Sequence, residues 1–375
     1  MPDRYEAIII GGGPAGALAA CLLARSGWRV LLIEKRAAHQ PKTCGHCLDH
    51  RANATLRRAG LLQRVRAIAS GITTAASIHL PDAAPLHWPI AATATAHLLI
   101  VQRSRLDQLL INEAQAAGCD ILQPAAARII RVGRTNVITA QGRTCRAPLL
   151  IGADGLQSRV ARAARLGRST AAGQRKYGFS FQCSCADDAA RQLNLNRAAT
   201  HLFVIPQGYL GIVHHHPRQL HLAGLVSHSR LSPPDFLHHI RQRFPHLAPV
   251  LKQPSSLTAA GPMPFRPAAV ASPSAALIGD AAGYIEPFTG QGMTWALQSA
   301  ELLADIAARA GPGQWSAKTA SIYESQWRNG IGRSQRFCQT MAFALDHPRL
   351  IHALIAFSHR RPALARRFAQ QVLAA

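Results

Sequence analysis

Apolar residues along this chain fall into short continuous runs that end in glycine-rich turns, most plainly over residues 7–34, AIIIGGGPAGALAACLLARSGWRVLLIE. An unbroken run from Ala7 to Ile10 precedes three glycines, then an Ala/Leu-rich stretch that Gly27 ends, then a second run over Arg29 to Ile33. Continuous rather than alternating hydrophobicity marks strands buried on both faces of a parallel sheet, so this stretch predicts strand, turn, helix and strand. APLLIGADGLQSR at 147–159 and AALIGDAAGYIEPFTGQG at 275–292 repeat a buried strand followed by a glycine turn, the second opening a long helix through about Leu303. Between them the period changes. KYGFSFQCSC and HLFVIPQGYLGIVHHH predict the clearest of several short alternating strands, and residues 331–375 predict two basic amphipathic helices around Pro348 and Pro362.

The first turn has chemistry of its own. Gly11, Gly13 and Gly16 fill the pattern G-x-G-x-x-G, with Ala15 inside it. The first glycine permits a tight turn, the second lets backbone approach a pyrophosphate, and the third lets helix and strand pack closely. Free N–H groups at the helix start then hold phosphates. Glu34, with Lys35 beside it, ends the second strand 34 minus 11, or 23, residues after the first glycine. That is near the spacing of roughly 20 expected for an acid that accepts from ribose hydroxyls. A carboxylate there repels a 2'-phosphate, so the tight ligand is expected to be FAD or NAD rather than NADP. There is no second such unit in the sequence, and NAD(P)H is therefore expected only as a transient reductant.

Length and composition add bounds. With 375 residues and 48% hydrophobic content the chain supports a large core in two interleaved domains. Its formal charge of +24 comes mostly from arginine. Such a field attracts anionic surfaces, yet the charges are dispersed and no nucleic-acid module is present, so nucleic acid is not the expected partner. An acidic carrier protein or an anionic membrane surface fits better. The eight cysteines are scattered without the density of a secreted disulfide framework, which favours a reducing cytoplasm. No leader sequence precedes the first strand, and no apolar run approaches the roughly 20 residues that span a bilayer. The expectation is a soluble cytoplasmic protein, at most peripheral to a membrane.

The three stations, Gly11 to Gly16, Asp154-Gly155 and Gly279-Asp280, resemble in this order those of the flavoprotein superfamily that holds p-hydroxybenzoate hydroxylase, the flavin-dependent halogenases and the geranylgeranyl reductases. The resemblance covers nearly the whole chain. It implies an α/β (α+β) fold with bound FAD: a Rossmann-like FAD-binding domain assembled from 1–70, 99–172 and 261–330, interleaved with a β-sheet substrate domain over 71–98 and 173–260, and followed by C-terminal helices in 331–375. It also implies roles. Asp280, next to Gly279, matches the acid on the ribityl chain. Gly290, Gly292 and Met293 lie where backbone N–H groups meet the flavin ring at a helix N-terminus. Arg103, in QRSRLDQLL, matches an arginine that contacts FAD, and Asp154 matches the acid tied to the pyrophosphate region and to transient nicotinamide docking. Helix capping is the alternative role for Asp154 and Asp280.

PKTCGHCLDH at 41–50 admits three chemistries: a dithiol redox pair, half of a zinc site, or a cofactor-facing loop. Zinc wants four ligands, and Cys183 with Cys185 is not a second C-x-x-C pair. No thioredoxin-like unit surrounds the loop. Its position shortly after Glu34, where the chain returns toward the flavin, favours the third chemistry. KTCGHCL resembles the Cys-Gly loop of geranylgeranyl reductases, whose cysteine lies beside the isoalloxazine. His201-x-Phe203-x-Ile205-Pro206-x-Gly208 resembles their substrate strand, with smaller aromatic residues, and PFTGQGM resembles their Pro-x-Thr-Gly-x-Gly turn. This nearer resemblance implies an FAD-dependent reductase that passes a hydride from flavin N5 to an apolar unsaturated small molecule, which need not be a polyprenyl chain. Cys44 or His46 would supply or relay the proton, with Phe203, Ile205 and Pro206 against the substrate. A buried cysteine and a loop histidine bonded to backbone is the structural alternative for that pair. A flavin-dependent hydroxylase or halogenase, with Lys42 as the lysine near the flavin loop, is the alternative enzyme. A non-catalytic FAD-bound docking subunit is the alternative outside catalysis.

Overall fold

In a computed structural model that describes residues 3–89, 97–167, 176–184, 195–216, 219–227, 231–251, 257–263, 265–286, 288 and 290–345, with seven more between 347 and 361, the chain alternates between two sheets. β1 (Ala7–Ile10) is a buried apolar strand, and Gly11, at φ +109°, turns it into α1 (Pro14–Arg25). Pro14 suits that start because its missing N–H costs nothing in a first turn. β2 (Val30–Ile33) pairs parallel with β1, Ala7 against Val30. The carboxylate of Asp49 accepts from the Ala52 N–H at 2.8 Å and so caps α2 (His50–Arg58). β3 (Ala75–His79) opens the second sheet, whereas α3 (Arg103–Ala116), β4 (Asp120–Leu122) and β5 (Leu149–Gly152) belong to the first layer. β6 (Lys176–Ser184), β7 (Ala199–Ile205), β8 (Gly208–His216), β9 (Gln219–Val226), α4 (Pro233–Arg243) and β10 (Thr258–Met263) complete the second sheet and the helix behind it. β11 (Ala275–Leu277) returns to the first sheet before α5 (Gly292–Ala310), α6 (Ala317–Asn329) and α7 (Ile331–Leu345). Pro348, Pro362 and Cys185 lie outside the described residues.

The first sheet runs in the order Ala271–Ser272, β11, β5, β1, β2, β4, parallel from β11 to β4. Ala17, Ala19 and Ala20 are fully buried, and these small side chains let α1 sit against the sheet between α3 and α5. The second sheet runs β10, β6, β9, β8, β7, β3 and then Leu86–Pro89. Its side chains alternate between two faces. Phe179, Phe181, Phe203, Leu210 and Leu222 pack with Phe236 and Ile240 of α4 on the far face. Val204, Tyr209, Leu225 and Met263 form the near face, where Tyr284 of the 279–290 turn joins them. A short third sheet joins the layers: Cys47–Leu48 pairs with Leu98–Ile100, Cys47 opposite Ile100, which pins the end of the CGHC loop.

Candidate active site

The glycine stations meet. A Cβ on Gly16 would collide with the Gly11 carbonyl oxygen, and one on Gly11 with the backbone of Ala153 beside Asp154. At Gly13 it would stand 3.3 Å from Arg103 Nη2, and at Gly279 2.9 Å from the Ala15 methyl. Turns far apart in sequence therefore share one cleft. Glu34 is tied into it, its carboxylate accepting the N–H of Gly12 at 2.6 Å and of Arg36 at 2.8 Å, while Lys35 is exposed. Beside this acid lies a shallow cleft lined by Gly12, Glu34, Lys42, Ser104 and Gln123 among others.

The donors present suit an anionic dinucleotide. α2, α4 and α6 are capped by Asp49, Ser232 and Ser316, but α1, α3 and α5 begin without a side-chain cap. Uncapped N–H groups and the positive end of the helix dipole are what phosphates bind. α1 and α3 start next to each other, since Gly13 faces Arg103. α5 starts further along: a Cβ on Gly290, itself at φ +69°, would be 3.9 Å from that of Cys47. Gly292 is the first residue of that helix, and Met293 is buried behind it.

Arg103 stands at the centre of the charges. Its Nε donates to Asp107 at 2.7 Å, and Lys42 Nζ donates to the other oxygen of Asp107 at 2.8 Å. Burial alone would weaken its charge, but Asp107, Cys44 and Asp280 around it hold the guanidinium firmly protonated. Asp280 feels the reverse balance: burial pushes its carboxyl up to about 6 although Arg103 draws it down. Asp154 accepts from Ser158 Oγ and from the N–H groups of Arg159 at 2.7 Å and Val160 at 3.2 Å. Its carboxylate thus serves the first N–H groups of the short helix Arg159–Ala163, which Ser158 caps, and what it brings to the cleft is its backbone beside Gly11.

Around Cys44 the loop is drawn against the second sheet. His46 takes φ +63°, unusual for a non-glycine residue, and is held there by three bonds. Its N–H donates to Cys44 Sγ at 3.4 Å, its carbonyl accepts from Val101 N–H at 2.8 Å, and Cys44 N–H donates to Ser180 Oγ at 3.4 Å. His221 of β9 donates Nε2–H to the Cys44 carbonyl at 2.6 Å. Its ring stacks on that of His46, centroids 3.6 Å apart, with His215 of β8 edge-on to His46 at 5.7 Å. Burial drives the His46 pKa well below its usual value, with His221 and His215 adding to the effect, and burial lowers His221 to about 4. Burial also raises the Cys47 thiol to about 12. Both cysteines are free thiols, and among the described residues no group of His, Cys, Asp and Glu is arranged to hold a metal ion.

Sequence reasoning missed His215, His221 and Ser180. The only signal was the polar run His214 to His216 inside an otherwise apolar strand pair. It also put two side chains on the near face that fold to the far one. Phe203 and Ile205 are 0% and 4% exposed in the core under α4, and Pro206 is exposed at the hairpin turn. Alternation instead turns Leu202 and Val204 toward Tyr284.

The family described as FAD binding domain matches residues 4–208, more than half of the chain. Digeranylgeranylglycerophospholipid reductase 1 of Methanococcoides burtonii is 24% identical over 351 residues, covering 88% of this chain and 81% of that protein. Menaquinone reductase of Mycolicibacterium smegmatis is 25% identical, covering 94% and 87%. A geranylgeranyl bacteriochlorophyll reductase-like protein from Thermoplasma acidophilum superposes with a TM-score of 0.78 at 22% identity, covering 95% of this chain and 91% of that one. Halogenase PltM in complex with phloroglucinol and FAD superposes at 0.77 with 18% identity, covering 99% and 86%, and shares the fold. The chain belongs to the FAD binding domain family and is an FAD-dependent oxidoreductase similar to geranylgeranyl reductases.

Proposed function

We propose that this oxidoreductase reduces a carbon–carbon double bond of an apolar substrate lying between the Cys44 loop and the near face of the second sheet. The observation that carries this reading is the apposition of a half-buried cysteine, the arginine and acid of the cofactor cleft, and an apolar sheet face. The names of its relatives, reductases of digeranylgeranylglycerophospholipid and of menaquinone, support the same class. FAD, when bound and reduced by a visiting NAD(P)H, would supply the hydride. Leu202, half-buried on that face, would meet the unsaturated chain, and Val204, Leu225 and Met263, packed behind it, would exclude water. Cys44 would give its Sγ proton to the neighbouring carbon, and the thiolate left behind would be stabilised by the His46 N–H and the nearby Arg103 charge. His46, buried and neutral, shapes the loop rather than titrating.

Lys42, the lysine that a halogenase reading would use, is bound to Asp107 on the ribose side of the cleft. That geometry favours the reductase. Among the described residues no helix is long and apolar enough to cross a membrane. We read the +24 charge as a means of meeting an anionic membrane surface or an acidic carrier that delivers substrate to a cytoplasmic protein. The test is turnover of candidate alkenes by Cys44→Ser without oxygen. Loss of a proton donor should lower the rate by ~10²–10⁴-fold with FAD content intact. Undiminished activity of the variant would remove the donor role, and a wild-type enzyme that stops without oxygen would instead be an oxygenase.

A further inference from the structure

We infer that the stacked imidazoles of His46 and His221 form a hydrogen-bonding subsite beside Cys44 that takes a hydroxyl group on the substrate. This deepens the alkene-reductase reading and rests on it. A backbone carbonyl only accepts, so the 2.6 Å contact from His221 Nε2 to the Cys44 oxygen puts the ring proton on Nε2. In a neutral imidazole the other nitrogen is then a bare acceptor. His221 Nδ1 has no hydrogen-bond partner among the described residues, and neither has His46 Nδ1. The two residues are 3% and 4% exposed. A buried polar atom left unsatisfied is costly, so these nitrogens call for a group from outside the chain.

The surroundings say what that group is attached to. His221, Ala223 and Leu225 lie on one face of β9, because alternate residues of a strand point the same way. At the His221 end the neighbours are polar: Gln182 lies opposite His221, and Ser180, opposite Ala223, has its Oγ 3.0 Å from Thr258 Oγ1, which lies 3.2 Å from Thr43 Oγ1. At the Leu225 end they are Val204, Tyr209 and Met263. The near face therefore passes from polar to apolar along one strand and suits a molecule with an apolar body and a small oxygen-bearing end. Burial keeps both rings uncharged, and Arg103, the neighbouring cation, is bound to Asp107. The subsite thus suits an alcohol, which brings the proton that His221 Nδ1 needs. A phosphate ester brings acceptors to an acceptor. Water could meet the same demand, and the experiment separates the two.

The FAD-loaded enzyme is titrated with a ten-carbon prenyl alcohol, the matching hydrocarbon and the matching diphosphate, binding being read from the perturbation of the flavin spectrum. The alcohol should bind about tenfold more tightly than the hydrocarbon, and the diphosphate more weakly than the alcohol. In His221→Phe, which keeps an aromatic ring to stack on His46 but lacks the Nδ1 acceptor, most of the alcohol's advantage over the hydrocarbon should be lost. The wild-type comparison stands alone should that variant not fold. Equal binding of alcohol and hydrocarbon by the wild type would mean that only water occupies the nitrogens, and tightest binding of the diphosphate would mean an anion site; either overturns the inference. If neither apolar ligand binds, the alkene-reductase reading itself fails and carries this one with it.

Discussion

Asp280 and three partly or fully buried histidines respond to acid in opposite ways, because burial penalises the charged form of each. The Asp280 carboxyl titrates near 6 in the fold against 3.8 when unperturbed. Between those values the folded state binds more protons than the unfolded one, so this group's stabilisation is present at low pH and is lost as pH rises through about 6. His221, His79 and His214 have folded values near 4 against 6.5, so their contribution is present above 6.5 and is lost as pH falls toward 4. Asp280→Asn should therefore make the FAD-free protein more stable at pH 7, by up to a few degrees in Tm. It should also steepen the loss of stability on acidification from about pH 6 to 4, since an opposing contribution is gone. Thermal melts across pH check both signs, and an unchanged melt at pH 7 would mean that Asp280 is solvated rather than buried. The same variant should retain less FAD, because the neutral amide lacks the carboxylate that the ribityl hydroxyls would donate to.

Among the elements, α1 depends on one missing side chain. A Cβ on Gly16 would meet the Gly11 carbonyl oxygen, a backbone atom that cannot step aside as a side chain would. Gly16→Ala should push the helix off the sheet, cost about 1–3 kcal/mol in chemical denaturation, and give protein with little bound flavin. A variant as stable and as yellow as the wild type would show that the turn has slack. This element was legible in the sequence because its signals are local: continuous hydrophobicity in β1 and β2, glycines at fixed offsets and an acid at the strand end. The second sheet was legible as alternating strands, but not by face. Phe203 and Val204 are adjacent apolar residues, and only the docking of α4 on one side decides that Phe203 joins the core under that helix and Val204 the smaller cluster with Tyr284 on the other face. The histidine cluster was illegible for a related reason. His46 and His221 are 175 positions apart and meet only because Cys47 pairs with Ile100 while β9 lies next to β6 in the second sheet.

At the scale of the whole molecule, one buried polar tie between the two layers is Lys176 of β6 with Glu286 of the flavin turn, 2.8 Å apart with side chains 11% and 5% exposed. Removing one partner of such a pair takes a buried counter-charge from the other. Lys176→Met should cost about 3–5 kcal/mol, and adding Glu286→Gln should recover much of it, as read from denaturation of all three proteins. Additive losses would mean that the pair does not act as a unit. The larger claim is that Gly11 to Gly16, Arg103, the 279–283 turn and the start of α5 converge on one dinucleotide whose flavin end reaches Cys44. The most direct measurement is the visible absorption spectrum and flavin content of the protein, purified and then incubated with excess FAD and desalted. One tightly held FAD per chain, lost in Gly16→Ala and retained in Cys44→Ser, is the predicted result; a colourless wild-type protein that binds no flavin would contradict the account.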